Sequence, residues 1–393
     1  MDYQYLKNHY ENHFGVCDEI DYSYCPYRIC PLGAHVDHQH GIVSGIAINY
    51  GIGVAFAVND DGLIQLVSHN FRVRKRFNVK EVLVKLGDWA DYYRGAISVL
   101  QKHFELKKGI NAYIFGELHI GGLSSSAASI ISFMLAIAKA NGFTLSDEEV
   151  IEYSFQAETE FVGMSIGKLD QSSEVLSVKD RLLVLDTATG KYETVAMKKP
   201  SKPFDLLIVY SGAERQLASS YYNIRVDECK AAAFIIDSYS GIYKKFKDSY
   251  LRDSDIDSLE KFKDKMPENF YKRAMHYKTE NERVIKGKRA WENGDIEEFG
   301  RLVTESGRSS IELYEAGSVL LTKLFEIMSS VDGVYGTRFM GGGFNGTCLA
   351  IIDSAKRDTI IEAIKKRYGE SYPEYADKAQ YFICRSVDGT GRK

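Results

Sequence analysis

The sequence predicts an α+β protein built from two domains. Three observations support this: strand-like and helical segments alternate in both halves, 393 residues exceed one average domain, and a stretch rich in lysine and proline interrupts the middle of the chain. That stretch, residues 198–203, holds two of the six prolines and is typical of a linker or an exposed turn. We therefore predict an N-terminal domain over residues 1–199 and a C-terminal domain over residues 200–393.

The clearest regular segments lie in the N-terminal half. Residues 51–58 and 63–67 are rich in apolar and β-branched side chains, which is typical of strands. Residues 125–140 carry apolar side chains throughout and predict a buried helix. The sequence SDEE at 146–149 has the form of a capping box and predicts a second helix that ends near residue 161.

The C-terminal half repeats this mixture of patterns. Strand-like runs occur at residues 205–210, 347–352 and 380–384. Residues 244–266 are dense in charge and predict a solvated helix.

Composition excludes several classes of protein. Hydrophobic residues make up 45% of the chain and charged residues 26%, which is typical of a soluble globular protein and not of a disordered or fibrous one. The net charge of −4 offers no basic excess for nucleic acid or an anionic membrane. The sequence has neither a run of 18 apolar residues nor the apolar core of a signal peptide, so we expect a cytoplasmic protein without a transmembrane helix. Six scattered cysteines without a CxxC pair predict reduced thiols, and we interpret Cys30 as a small buried hydrophobe.

The first candidate site is a glycine- and serine-rich loop. Residues 121–128 read GGLSSSAA and lead directly into the predicted buried helix. Backbone N–H groups at a helix N-terminus attract anions, so a polyphosphate suits this loop, and a serine hydroxyl could reach Mg²⁺. The alternative is a plain glycine turn with a serine cap. The sequence contains no GxxxxGK[ST] motif, which excludes a Walker P-loop.

A second glycine-rich loop precedes a predicted strand. Residues 340–347 read MGGGFNGT, with four glycines in six positions. Such a loop can press its backbone against a ligand.

The third segment concentrates polar side chains. Residues 28–41 contain one arginine, three histidines and an aspartate. A metal site built from His35, Asp37, His38 and His40 is one interpretation, but these spacings suit neither a zincin helix nor a zinc finger. A polar pocket that hydrogen-bonds a hydroxylated ligand is the interpretation we favour.

Two acidic residues form the fourth candidate. Glu158 ends a predicted helix, and Asp170 follows a turn that contains glycine. One carboxylate could hold Mg²⁺ while the other faces a substrate hydroxyl. The alternative is a pair of surface acids, the usual place for Asp and Glu.

These four segments, in this order, resemble the galactokinase-like branch of the GHMP kinases. Residues 28–37 resemble the signature that contacts the sugar, and residues 122–128 resemble the phosphate loop. Residues 167–171 resemble the segment with the catalytic aspartate, and residues 340–346 resemble the third, glycine-rich motif. The resemblance extends over about residues 25–384, with lesser matches around Trp89 and Tyr222.

The resemblance implies a two-domain GHMP kinase fold. Its N-terminal domain would be like domain 2 of ribosomal protein S5, its C-terminal domain would be α+β, and the active site would lie in the cleft between them. It implies transfer of the γ-phosphoryl of ATP, with Mg²⁺, to the anomeric hydroxyl of a sugar. The residues it assigns are Arg28 and Asp170 for catalysis; Ala34, His35, Asp37 and Tyr222 for the sugar; Gly121, Gly122, Leu123, Ser124, Ser125, Ser126 and Ala127 for ATP; and Ser126 with Glu158 for the metal.

One departure from the family pattern concerns the substrate. Galactokinases carry Glu where this chain has Ala34, and that Glu accepts a hydrogen bond from the C6 hydroxyl. Against a substrate with a carboxylate at C6, a Glu would place two negative charges about 4 Å apart and cost roughly 4 kcal/mol at an effective dielectric constant near 20. The lost hydrogen bond to galactose costs only about 1 kcal/mol. The string around Ala34 is closer to plant galacturonokinases, so a galacturonate 1-kinase is the function we favour.

Several points stay open at this level. A buried carboxylate needs a cationic or multi-donor partner, and Lys168, Arg215 and His38 are the candidates. Ile120 replaces the first glycine of the family's phosphate loop. The alternatives to a galacturonate kinase are a galactokinase with an altered C6 pocket and a regulatory protein that senses sugar and ATP without turnover. The sequence makes no prediction of the oligomeric state.

Overall fold

The computed structural model describes residues 1–118, 121–213, 219–343 and 346–392. Within them, no helix is both long and apolar enough to cross a membrane. In chain order the helices and strands are α1 (Tyr3–Phe14), β1 (Asp21–Ile29), β2 (Ile42–Asn59), β3 (Leu63–Ser68), β4 (Lys75–Asn78), α2 (Asp91–Leu100), β5 (Gly109–Gly116), α3 (Ser125–Asn141), α4 (Asp147–Gln156), α5 (Leu169–Leu176), β6 (Arg181–Asp186), β7 (Tyr192–Ala196), β8 (Phe204–Tyr210), α6 (Ser219–Tyr239), α7 (Glu268–Glu292), α8 (Ile296–Glu312), α9 (Val319–Ser329), β9 (Val334–Phe339), β10 (Thr347–Asp353), α10 (Arg357–Ser371), α11 (Pro373–Ala376) and β11 (Gln380–Cys384).

The long strand β2 organises the first sheet. The order in the described part of this sheet is β4-β3-β5-β2-β6-β7, and β1 also pairs with β2. The first four residues of β2 pair with β6, and its last eight pair with β5. Since side chains alternate along a strand, β2 presents apolar residues to both faces of the sheet. Val54 and Phe56 join the main core, whereas Ala55 and Ala57 join a smaller core beneath α1.

Helix α3 is the central helix of the main core. It packs on β1 and β2 and touches α2, α4 and α5. Its buried residues lie on every face, because neighbours surround it, and Gly142 ends it in the left-handed conformation with φ +75°. These neighbours therefore fix the position of α3 against β1 and β2.

The second sheet is antiparallel and has the order β11-β8-β10-β9 in the part of the chain described here. Helices α8 and α9 pack on β9, and α7 packs on α6 and α8. After β11 the chain returns to the first sheet, where the N–H of Val387 donates to the carbonyl of Ala47. The predicted α+β class is confirmed.

Most of the predicted segments are confirmed, and one is corrected. The strands predicted at 51–58, 63–67, 205–210, 347–352 and 380–384 lie within β2, β3, β8, β10 and β11, and the two predicted helices are α3 and α4 with its capping box. Residues 244–266, predicted as solvated helix, instead form three 3-10 segments, Phe246–Asp248, Leu251–Asp253 and Ile256–Lys265. Ser249 and Ser254 donate from their hydroxyls to backbone carbonyls there, which competes with α-helical pairing.

The chain passes from the first sheet to the second through an irregular connection. Residues 198–203 are largely exposed and carry neither helix nor strand, between β7 and β8. A division into domains at residues 199 and 200 stays a prediction.

Two glycine substitutions should change stability in opposite directions. A Cβ on Gly336 would lie 2.0 Å from the carbonyl oxygen of Gly300, so Gly336→Ala should force β9 away from α8 and lower the free energy of unfolding by about 2 kcal/mol. Gly369 lies inside α10, and its Cβ would meet nothing closer than 3.4 Å, so Gly369→Ala should raise stability by roughly 0.5–1 kcal/mol. Midpoints of urea-induced unfolding measure both, and an equal effect of the two substitutions would contradict the packing described here.

Candidate active site

An arginine and an aspartate from distant parts of the chain form an ion pair at the centre of the site. Nε and Nη2 of Arg28 lie 2.8 and 2.7 Å from Oδ1 of Asp170. Nη1 of Arg28 donates to the carbonyl of Gly122 at 3.1 Å. The ion pair is therefore held directly against the first glycine-rich loop.

Local backbone features aim these two side chains at each other. The register between β1 and β2 shifts between Pro26 and Arg28, because a proline cannot donate to the ladder. Asp170 occupies the first turn of α5. The end of an irregular strand and the start of a helix thus supply the two charges.

Burial controls the charge of the acids around this pair. Burial, and then the Asp170 carboxylate, raise the pKa of Asp37 to about 6. The same two causes raise the pKa of Glu174, one turn beyond Asp170 on α5, well above its usual value. Burial alone would lower the pKa of Arg28, but Asp170 more than offsets it and the pKa is raised. The guanidinium charge of Arg28 is therefore matched by Asp170, while Glu174 stays neutral.

The two glycine-rich loops touch each other. Gly122 has φ +99°, and a Cβ there would lie 2.8 Å from Oγ1 of Thr347 and 3.0 Å from the carbonyl oxygen of Met340. Oγ1 of Thr347 also donates to the carbonyl of Gly121 at 3.2 Å. This contact requires glycine at position 122, and it brings the second loop to the N-terminus of α3.

The segment after β1, which we call the sugar loop (residues 33–40), is held from the second half of the chain. The N–H of Gly33 donates to Oε1 of Glu280 at 2.8 Å, and Nε2 of His276 lies 3.0 Å from the carbonyl oxygen of Ala34. His276 and Glu280 stand one turn apart on α7. They fix a backbone that includes three left-handed residues, Gly33 at φ +88°, His35 at φ +60° and His40 at φ +61°.

Aromatic rings enclose the sugar loop on its inner side. His35 stacks on Tyr314 with ring centroids 4.4 Å apart, and Tyr222 lies 6.0 Å from His35. Burial, and then Asp37, raise the pKa of Tyr222 well above its usual value, so its hydroxyl stays protonated. The result is a pocket that offers neutral hydrogen-bonding groups and ring faces.

Glu158 and Ser126 are the residues predicted to hold a divalent cation. Glu158 is buried on a single π-helical turn, Ala157–Phe161, and Oε2 of Glu158 accepts a hydrogen bond from Nε2 of Gln171 at 2.9 Å. Ser126 is partly exposed in the first turn of α3. A carboxylate and a hydroxyl suit Mg²⁺, which prefers oxygen ligands and keeps waters and phosphate oxygens in its remaining positions. Among the residues described, no three His, Cys, Asp or Glu side chains cluster as a metal site.

The structure brings several of the sequence-predicted residues together. Asp37 and Tyr222 lie close enough to the Asp170 carboxylate for its charge to raise their pKa values. Ala34 and His35 belong to the same loop as Asp37, and Arg28 reaches Gly122, just before α3. Their roles remain predictions.

The three residues proposed as partners for a substrate carboxylate, Lys168, His38 and Arg215, have different surroundings. Lys168 forms a surface ion pair with Glu152 at 2.5 Å. His38 is buried, and desolvation lowers its pKa to about 3, so it is neutral. Arg215, Ile120 and residues 344–345 lie outside the described residues. Burial raises the pKa of the Cys30 thiol to about 12, in agreement with its interpretation as a buried hydrophobe.

Sequence reasoning missed the residues that support the sugar loop. His276, Glu280 and Tyr314 lie far beyond the motif in sequence. One signal was present on α7: the polar residues 273, 276 and 280 recur at helical spacing together with buried apolar ones. A buried polar side chain requires a partner, so this pattern indicates a buried hydrogen-bond network.

Comparison with known proteins agrees with this geometry. The protein-family model of the GHMP kinases N-terminal domain matches residues 91–177, and the family model of the GHMP kinases C-terminal domain matches residues 288–370. The chain is 39% identical to a galacturonokinase of Arabidopsis thaliana over 94% of this chain and 93% of that protein. It is 30% identical to a galactokinase of Thermotoga neapolitana over 88% and 93%. The crystal structure of Lactococcus lactis galactokinase complexed with galactose superposes with a TM-score of 0.89 at 26% identity, over 98% of both chains. The chain therefore belongs to the GHMP kinases and is a kinase of their galactokinase-like branch.

Proposed function

We propose that this enzyme is a galacturonate 1-kinase, which transfers the γ-phosphoryl group of ATP to the anomeric hydroxyl of D-galacturonate. The observation that carries the proposal is the Arg28–Asp170 ion pair, which contacts the first glycine-rich loop through Gly122. The sugar loop would place Ala34 opposite C6 of the substrate. The likeness to a galacturonokinase over nearly the whole chain supports it.

Asp170 would act as the general base. Its carboxylate accepts the proton of the C1 hydroxyl while the O1–phosphorus bond forms and the bond from phosphorus to the departing ADP oxygen breaks. The neutral Glu174 suits this role, because a second carboxylate charge one turn away would oppose ionisation of the base.

Arg28 would hold the reacting oxygen and the transferred phosphoryl group. Its guanidinium already faces Asp170 and the Gly122 carbonyl, so it costs little reorganisation when charge develops. The N–H groups from Gly121 to Ala127 would cradle the phosphates. Ser126 and Glu158 would hold Mg²⁺, which supplies charge neutralisation between the β- and γ-phosphates.

His35, Asp37 and Tyr222 would orient the sugar through its hydroxyls. The identity of the C6 group is then set by position 34. A uronate carboxylate opposite a glutamate would cost roughly 4 kcal/mol at about 4 Å, and Ala34 removes that repulsion. D-Galactose remains the second candidate substrate, because galactokinases are among the relatives and a galactokinase structure shares the fold.

A substrate panel tests the proposal directly. ADP release should be measured with galacturonate, glucuronate, galactose and glucose. We expect the highest kcat/KM with galacturonate. Faster turnover of galactose than of any uronate would replace the proposal with the galactokinase function, and turnover of no sugar would favour a sensing protein.

Substitution of Ala34 separates charge from shape at C6. Ala34→Glu should lower kcat/KM for galacturonate by about a thousandfold, through repulsion between carboxylates. Ala34→Gln, the neutral control of the same size, should lower it far less. If both variants lose the same activity, the pocket discriminates by volume and the charge argument fails.

Asp170→Asn tests the general base. We expect kcat to fall by about 10²–10⁴-fold while the dissociation constant for the sugar, measured by calorimetry, changes little. Unchanged turnover would refute the role of Asp170.

The contact between the glycine loops should matter for the nucleotide. Gly122→Ala adds a methyl group that must displace Thr347 or Met340, so we expect KM for ATP to rise about tenfold or more, with sugar affinity nearly unchanged. Gly142→Ala is the matched control, since φ is +75° at the other end of α3 but no atom lies within 4 Å of the added Cβ. Equal KM values for the two variants would contradict a phosphate site at Gly122.

A further inference from the structure

The carboxylate of a uronate needs a positive charge that the pocket does not display in its described part. Arg338, on β9 beside the sugar loop, donates from Nη1 to Ser306, from Nη2 to Ser310 and from Nε to the Phe339 carbonyl. Its Nη1 also lies 3.8 Å from Oε1 of Glu280. The donors of this buried arginine are therefore already engaged, although it shares Glu280 with Arg283, whose Nε lies 2.8 Å from Oε2 of Glu280.

The second buried arginine in this region, Arg273, is also paired with carboxylates of the protein. Nε of Arg273 lies 2.6 Å from Oε2 of Glu228, and its Nη2 lies 2.8 Å from Oε2 of Glu315. A substrate carboxylate would have to break one of these pairs to gain a direct partner, which leaves another charge buried and unpaired.

Three buried histidines surround the Ala34 position, and they differ in their hydrogen bonding. His276 uses both ring nitrogens, on Ser309 and on the Ala34 carbonyl. His38 also uses both, with Tyr314 and Gln39. In contrast, Nε2 of His35 is buried and has no hydrogen-bond partner among the described residues. A buried polar atom without a hydrogen-bond partner is destabilising unless a ligand supplies that partner.

The groups that face His35 come from every element around it. They are His276 of α7, Tyr222 of α6, Tyr314 after α8, Arg338 and Phe339 of β9, and His38 of the same loop. Burial, and then His276 and Arg338, lower the pKa of His35 well below its usual value. Without a ligand the imidazole is therefore neutral, and only an added negative charge would favour its protonation.

We propose that His35 takes up a proton from solvent when galacturonate binds, so that its Nε2 donates, as an imidazolium, to the substrate carboxylate. This inference rests on the proposed galacturonate kinase function and adds how the acid group is recognised. His35, rather than a resident arginine or lysine, becomes the counter-charge, and it carries that charge only when the substrate is an acid.

The sign of the pH dependence follows. Galacturonate binds with proton uptake, so its affinity falls as pH rises, by up to about tenfold per pH unit between the pKa of His35 in the free and bound enzyme. An uncharged sugar leaves His35 neutral, so its binding affinity should not show this dependence on pH. Asp37, with a pKa of about 6, titrates in the same range, and a second carboxylate nearby would raise its pKa further, so the His35→Gln variant below is needed to separate the two groups.

The test is calorimetric titration of the full-length enzyme with D-galacturonate and with D-galacturonamide, its uncharged isostere. Each titration is repeated between about pH 5.5 and 7.5 in two buffers that differ in heat of ionisation. The difference between the binding enthalpies observed in the two buffers gives the number of protons taken up. We expect up to one more proton to be taken up with galacturonate than with the amide, and equal uptake would overturn the proposal.

Variants assign the proton to its site. His35→Gln keeps a neutral donor near the Nε2 position, so the extra proton uptake and the pH slope should disappear, and galacturonate affinity near pH 6 should fall about tenfold more than that of the amide. His40→Asn is the control, because His40 is in the same loop but stacks on Tyr250. Proton uptake that persists in His35→Gln places the proton elsewhere and refutes the proposal; if that variant does not fold, the wild-type titrations decide.

Different results would overturn the galacturonate kinase function and the role of His35. Phosphorylation of galactose but not of galacturonate would overturn the proposed function. Phosphorylation of galacturonate with no extra proton uptake would leave that function intact and overturn only the role of His35. Loss of the uptake in Arg215→Ala, with His35 intact, would likewise count against His35.

Discussion

The ion pair between Arg28 and Asp170 is the constraint on which the rest of the site depends. A buried guanidinium must keep its partner, since an unmatched charge in the interior costs several kcal/mol. This requirement ties the irregular end of β1 to the start of α5 and, through Nη1, to Gly122. Charges around the pair are reduced accordingly, because Glu174 is neutral and the pKa of Asp37 is raised to about 6. One acid paired with one arginine is the arrangement that suits the proposed phosphoryl transfer to a hydroxyl.

Local sequence patterns predicted the segments whose structure depends on near neighbours. The apolar run that forms α3 and the capping box of α4 need only helical geometry and end groups, so both were predictable. The charged stretch at 244–266 was not, because charge density alone does not distinguish an α-helix from 3-10 turns. In that stretch, the hydroxyls of Ser249 and Ser254 bond to backbone carbonyls, which favours local turns over a continuous α-helix.

The same distinction, between local patterns and packing of distant segments, applies to the candidate site. Residues within motifs, such as Arg28, Asp37 and Asp170, were found because family resemblance preserves their spacing. Glu174, His276 and Tyr314 were missed, since their importance arises from packing between distant segments. Lys168 illustrates the opposite error: it stands next to the catalytic motif in sequence but points to Glu152 at the surface. Proximity in sequence does not decide which side chains line a cleft.

The proposed selection of the C6 group at Ala34 depends on a backbone that hydrogen bonds from another part of the chain hold in place. Gly33 has a positive φ, and a Cβ there would lie 2.5 Å from the Cα of Val43, so the loop has little freedom to relax. Side chains on α7 hold the N–H of Gly33 and the carbonyl of Ala34. With both sides fixed, a change of side chain at position 34 alters the space and charge beside the substrate without moving its neighbours. If position 34 has the proposed role, one substitution there is enough for the same scaffold to accept a different C6 group, provided that a nearby group supplies the counter-charge.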